Sequence, residues 1–194
     1  MGKFVFTPCK NSKGKVISDL YIISGTLFGD TRGYFTETFN DEFHPYVKHL
    51  DGSEASFVQD NESMSQQGVL RGLHFQKTQP QAKLVRVISG AVFDVAVDLR
   101  RNSETYGSWF GAVLSSDNKK QLYVPEGFAH GFLVLSSTAT FIYKCTRIYA
   151  PEDECGLIWN DNDIGIEWPK LDCSVLLSDK DKKNPMFSEL EFAF

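Results

Sequence analysis

The clearest hydrophobic period along this chain is two. In KLVRVISGAVFDVAVDLR (83–100), Phe93, Val95, Val97 and Leu99 fall on one side and Asp94, Ala96 and Asp98 on the other, which is the alternation of a β-strand. Ser89 and Gly90 separate two such runs and predict the turn of a β-hairpin. Further strands are predicted in DLYIISGTLF (19–28), GYFTETF (33–39), SWFGAVLS (108–115), KQLYVP (120–125), GFLVLSS (131–137) and TFIYKCTRIY (140–149), and RGLHFQ (71–76) alternates in the same way. A helix is predicted only in NDEFHPYVKHL (40–50), with Asn40 or Asp41 as its cap. The charged stretch SDKDKKNP (178–185) reads as an exposed loop or helix start. Many short strands separated by turn residues predict a mainly β protein, a sandwich or barrel with a few short helices.

Composition narrows this picture. The 194 residues suffice for one hydrophobic core, and neither an internal repeat nor a long Pro/Gly/Ser linker divides them, so one domain over 1–194 is predicted. Sixteen phenylalanines reinforce the β reading. A net charge of −5 argues against a nucleic-acid partner, although single basic residues can still hold one phosphorylated small molecule. The start MGKFVFTPCK lacks the apolar stretch of a signal peptide, and no run is long enough to span a bilayer. Cys9, Cys145, Cys155 and Cys173 form no C-x-x-C pair, so neither a zinc site nor a disulfide framework is expected, and a cytoplasmic protein is.

Two histidines stand out. His74 sits between apolar residues in RGLHFQ, and His130 ends the P-x-G-x-x-H of PEGFAHGF (125–132). That motif resembles the second motif of the cupin superfamily, a jelly-roll barrel in which this histidine points inward. Metal-binding cupins carry H-x-H followed by Glu in their first motif. Here Gln76 stands at the second histidine and no Glu follows, and an amide binds a transition metal far more weakly than an imidazole does. A metal-free site is therefore expected.

A narrower resemblance runs through FGDTRGYFTETF, FVQDNESMSQQGVLRGLHFQ, KLVRVISGAVFDVAVDLR, KKQLYVPEGFAHGFLVLS, FIYKCTRIYAPEDECGLIWNDNDIGIEWP and LSDKD. In order and spacing these blocks are similar to the dTDP-4-dehydrorhamnose 3,5-epimerases. The resemblance implies inversion of C3 and C5 of dTDP-4-dehydro-6-deoxyglucose, a step towards the rhamnose of bacterial polysaccharides such as the lipopolysaccharide O-antigen. A C4 ketone acidifies the hydrogens on both neighbouring carbons, so the reaction needs a base, an acid and an enolate stabiliser, and no cofactor.

Residue by residue, the resemblance makes His74 the base and Asp181, in the C-terminal segment of about 170–194, its partner. Imidazole suits the role because its unperturbed titration lies nearest neutrality. Lys83 matches the cation beside the C4 oxygen, and Tyr143 the acid that returns a proton from the opposite face. Arg32, Glu37, Gln59, Asp60, Asn61, Arg71, Lys83, His130, Glu154 and Lys180 match positions that contact the nucleotide or sugar. A homodimer with sites shared across its interface is implied as well.

Strict alternation sets a geometric condition. It places Arg71 and His74 on opposite faces of one strand, so both serve one pocket only through a bulge near Gly72 or an exchange between subunits. The alternatives weighed are a single-centre epimerase of a related deoxysugar pathway, a metal-dependent cupin such as a dioxygenase, and a non-catalytic nucleotide-sugar binding protein. Tyr143 speaks against the first, Gln76 against the second. The joint presence of His74, Lys83, Tyr143 and Asp181 speaks against the third.

Overall fold

The computed structural model describes residues 3–194. Its strands are β1 (Val5–Lys10), β2 (Val16–Ser24), β3 (Leu27–Asp30), β4 (Gly33–Thr36), β5 (Gln59–Gln66), β6 (Leu70–Gln76), β7 (Lys83–Ser89), β8 (Ala91–Asp98), β9 (Trp109–Ser115), β10 (Gln121–Val124), β11 (Phe128–Val134), β12 (Thr138–Cys145) and β13 (Glu154–Gly156). They form a six-stranded sheet in the order β1-β2-β10-β7-β12-β5, a five-stranded sheet in the order β13-β6-β11-β8-β9, and a separate β3-β4 ribbon. The described helical turns are single 3-10 turns. This is the mainly β sandwich that the strand pattern predicts, in the jelly-roll form that the cupin resemblance implies.

The two sheets close over a core that includes Val85, Val87, Val92, Ala96, Leu122, Phe128, Phe132 and Phe141. The Asp94–Ala96 side of β8 thus faces the interior. Its apolar side, Phe93, Val95, Val97 and Leu99, looks outward and is covered by Ile166, Trp168, Phe187, Leu190, Phe192 and Phe194 of the C-terminal segment. β8 is thus covered on both faces.

Ser89 and Gly90 do not close a hairpin. β7 pairs with β10 and β12, whereas β8 pairs with β11 and β9, so the chain changes sheets at this corner. Gly90 has φ +77°, and a Cβ there would lie 2.1 Å from the Thr138 carbonyl oxygen. The helix predicted over 40–50 shrinks to the 3-10 turn Asp41–Phe43, capped by the Asn40 side chain accepting from the Glu42 N–H. Pro45 follows directly after His44, and a proline disfavours helical geometry in the residue before it. The predicted strand 19–28 divides into β2 and β3 around Gly25, while β1, β5 and β13 escape the period-two reading because polar or short stretches form them.

Asp98, at the end of β8, has a side chain shielded from solvent. It accepts from Arg100 Nε at 2.9 Å, Ser103 Oγ at 2.7 Å and Thr105 Oγ1 at 2.8 Å, fixing the loop that follows. Burial works to raise this carboxyl, but Arg100 and Ser103 outweigh it and hold it below the ordinary aspartate range. A depressed folded-state value means that the stabilisation is present above the unfolded value of about 3.9 and is lost as pH falls through the folded one. The melting temperature of Asp98→Asn is therefore expected to lie below that of the wild type near neutrality, with the gap closing in acid.

Candidate active site

Between Arg71, which pairs with Phe132, and His74, which pairs with His130, β6 carries two residues where β11 carries one. This is a β-bulge, and it meets the condition set by the alternation: Arg71 and His74 both line the same cavity. Gly72 is required here. Its φ is +116°, and a Cβ would lie 2.7 Å from both Gly131 Cα and the His130 carbonyl oxygen. Arg71 is then held across the cleft by Ser65, whose Oγ accepts from Nε at 3.1 Å and Nη2 at 3.0 Å.

His74 forms one wall of a cavity of about 580 Å³. Its Nε2 lies 2.5 Å from Asp181 Oδ1, and its Nδ1 lies 3.8 Å from Glu154 Oε1. The predicted exposed stretch 178–185 therefore buries one residue, Asp181, which is 3% exposed and opens the 3-10 turn Asp181–Lys183. Leu176 binds this segment to the start of β6, donating to Gly68 O and accepting from Leu70 N. Burial opposes ionisation of Asp181, but His74, Ser178 and the Gly72 backbone hold its carboxyl below the usual range. An ionised Asp181 fixes the proton on Nε2 and leaves the Nδ1 lone pair as the basic one. Burial likewise opposes ionisation of Glu154, and the Lys180 ammonium at 2.6 Å and the Tyr149 hydroxyl at 2.5 Å outweigh it. The site thus has an oriented imidazole flanked by two carboxylates.

The opposite wall comes from the other sheet. Lys83 on β7 pairs directly with Cys145 on β12, two residues from Tyr143, and all three line the cleft or its adjoining recess. The Lys83 ammonium makes no hydrogen bond or ion pair among the described residues. Burial lowers its pKa, opposed by Cys145, Glu154 and Asp94. The Tyr143 hydroxyl also has no hydrogen-bond partner among the described residues, and burial first, then Cys145, pushes its pKa up, so the phenol keeps its proton at neutral pH. Deeper in, His130 Nε2 lies 2.9 Å from the buried Asp94 carboxylate. Burial raises the Asp94 pKa against the pull of His130 and Lys83.

Gln76, at the position of a cupin metal ligand, turns its amide to backbone. Nε2 donates to Gln79 O at 2.7 Å and Oε1 accepts from Ala150 N at 2.9 Å. Both ends of the side chain thereby hold loops at the rim of the cleft.

Of the residues predicted from sequence, Arg71, His74, Lys83, His130, Tyr143, Glu154, Lys180 and Asp181 line the main cavity. Gln59 and Asn61 line the recess beside it. Asp60, between them on β5, points the other way and pairs with Lys144 at 2.8 Å. Arg32 and Glu37 sit on or beside the β3-β4 ribbon and line neither space; Arg32 is paired with Asp30 at 2.6 Å. Sequence reasoning missed Ser65, Asp94 and Tyr149 as parts of the site. Alternation along β5 and β8 carried a signal for Ser65 and Asp94, since each shares a face with a predicted site residue or with the core.

A family model described as dTDP-4-dehydrorhamnose 3,5-epimerase matches residues 15–189. The chain is 52% identical over 173 residues to the dTDP-4-dehydrorhamnose 3,5-epimerase of Methanothermobacter thermautotrophicus, covering 86% of this chain and 91% of that protein. It is 52% identical over 175 residues to the enzyme of the same name from Escherichia coli K12, covering 90% and 92%. Among solved structures, a dTDP-6-deoxy-D-glucose-3,5-epimerase from Legionella pneumophila Philadelphia 1, crystallised with dTDP-4-keto-L-rhamnose, superposes with a TM-score of 0.86 at 44% identity, covering 97% of this chain and 95% of that one.

Proposed function

The chain belongs to the dTDP-4-dehydrorhamnose 3,5-epimerase family, and from that premise we propose that its cleft inverts C3 and C5 of dTDP-4-dehydro-6-deoxy-D-glucose. The product is dTDP-4-dehydro-β-L-rhamnose, formed through enolates on the route to dTDP-L-rhamnose. The observation that carries this reading is the pairing of opposite walls: an imidazole oriented by Asp181 on one sheet faces a protonated Tyr143 and an unpaired Lys83 on the other.

Inversion needs two faces. His74 Nδ1 takes the hydrogen from the carbon next to the C4 ketone, and Asp181 and Glu154 stabilise the imidazolium that results. Lys83 stabilises the enolate oxygen, a placement in which preorganised charge is most effective. Tyr143 then returns a proton from the far side; exchange with solvent takes the proton from His74 and restores the one on Tyr143, after which the same cycle runs at the second carbon. Arg71, Gln59, Asn61, His130, Glu154 and Lys180 bind the nucleotide and sugar, Arg71 suiting a diphosphate through its planar fork. Turnover of dTDP-4-dehydro-6-deoxyglucose, read by coupling to a separate reductase that consumes the L-rhamno product, tests the assignment. Steady reductant consumption is expected, and none with a competent reductase present would refute it.

Arg32, Glu37 and the ribbon find their role in a homodimer. Phe28, Tyr34 and Phe35 on the ribbon are 47%, 57% and 65% exposed, an apolar surface that suits burial against a second copy. On this reading the ribbon carries Arg32 and Glu37 to the partner's cleft, while 1–194 forms one domain per protomer. Free thiols at Cys9, Cys145, Cys155 and Cys173 suit the reducing cytoplasm, where we place the protein. Sedimentation is expected to give a dimer, and Phe35→Asp to shift it towards monomer with loss of activity; a monomer of full activity contradicts the shared site.

A further inference from the structure

Lys83 has no side-chain partner to hold it, so its ammonium stands where its backbone puts it. The three segments around that backbone meet at one buried carboxylate. Glu126, in the PEGFAHGF motif just after β10, has a side chain 1% exposed. Its Oε1 lies 2.8 Å from His49 Nδ1 and accepts from Arg147 Nε at 3.3 Å and Thr146 Oγ1 at 3.4 Å, and its Oε2 accepts from Leu50 N at 3.0 Å. Thr146 in turn accepts the Ala82 N–H on Oγ1 at 2.9 Å and donates its own N–H to Ala82 O at 3.1 Å. Arg147 Nε also donates to Pro80 O at 3.1 Å, and Gln81 Nε2 to Arg147 O at 2.8 Å. Residues 80–82, immediately before Lys83, are thus tied to 146–147, and 146–147 to Glu126. None of these three, Glu126, Thr146 or Arg147, lines the main cavity or its recess.

Resting on the epimerase reading, we propose that Glu126 and Thr146 are positioning residues for Lys83, setting where its ammonium meets the enolate oxygen. A displacement of about 1 Å can cost about a hundredfold in rate, and with no partner to fix its head, Lys83 depends on its backbone and on the cleft walls around its stem for that placement. Thr146→Val keeps the shape of the side chain and removes the hydroxyl, leaving the Ala82 N–H without its acceptor and Glu126 short of one donor. Glu126→Gln keeps the size and removes the charge.

The experiment compares wild type, Thr146→Val, Thr146→Ser and Glu126→Gln by kcat, KM, dTDP affinity and the alkaline limb of the kcat–pH profile. Thr146→Val and Glu126→Gln are expected to lower kcat about tenfold or more, with KM and dTDP affinity within about twofold. The alkaline limb is expected to move, because Lys83 changes its burial and its distance from Cys145, Glu154 and Asp94. Thr146→Ser is expected to restore most of kcat. Should Thr146→Val not fold, Glu126→Gln carries the same comparison. The proposal is overturned if kcat stays within about twofold of wild type. It is overturned equally if kcat, dTDP affinity and folded fraction fall together with no rescue by serine, the signature of a scaffold alone. A wild-type chain that binds dTDP without turnover defeats the premise instead, which the other arms distinguish.

Discussion

His74→Ala is expected to lower turnover by about 10² to 10⁴, the range a general base contributes, while the variant folds and still binds dTDP. The expectation follows from geometry. His74 lies on a sheet strand at a partly open site, so truncation removes its cleft-facing ring without opening the apolar core of Leu73 and Phe75 behind it. Arg71, Lys180 and the recess around Gln59 and Asn61 remain to hold the nucleotide. In deuterated water the variant is expected to leave both C3 and C5 of the substrate unlabelled. Titration with dTDP and an activity assay on the same preparation check the split, and more than about a tenth of wild-type turnover contradicts a base of that strength.

Tyr143→Phe is expected to act at the other end of the proton's path. The phenol is kept protonated by burial, and its hydroxyl has no other partner among the described residues, so removing it costs no structural hydrogen bond. Net inversion is expected to fall by about 10² to 10⁴, while His74 still abstracts and returns protons on its own side. Deuterium therefore enters recovered substrate without L-rhamno product forming. Loss of exchange together with loss of product would show that Tyr143 serves abstraction or binding, not return.

These two variants divide one reaction between two sheets, and that division explains what the sequence made legible. Of the cleft's strands, β6, β7, β11 and β12 follow from alternating runs and β5 and β13 do not, whereas His74, Lys83, Tyr143 and Asp181 follow from motifs whose order and spacing resemble the family. Alternation also showed that Arg71 and His74 cannot share a face without a bulge, and the bulge lies at Gly72. What stayed hidden is non-local. The Ser89–Gly90 corner reads like a hairpin because a turn between sheets and a turn within one use the same residues. Alternation sets Asp94 opposite Phe93 on β8 but does not show what it meets, because its partner, His130, lies thirty-six residues away. Asp60 was grouped with Gln59 and Asn61 by motif, although the strand period turns it outward to Lys144. Asp181 is buried within a charged run because one residue of that run meets an imidazole on another strand.

The same view accounts for the ribbon. Arg32 and Glu37 match the family pattern yet stand away from the protomer's cleft, the arrangement expected if the proposed dimer completes the site, and the exposed Phe28 and Phe35 of the ribbon offer that proposal its contact surface.

The central claim is that one cleft inverts two carbons. Incubating the protein with dTDP-4-dehydro-6-deoxyglucose in deuterated water, trapping the product with a separate reductase and mapping deuterium by NMR tests it most directly. The account predicts label at both C3 and C5 of the L-rhamno product. Label at a single carbon, or at neither, would contradict it.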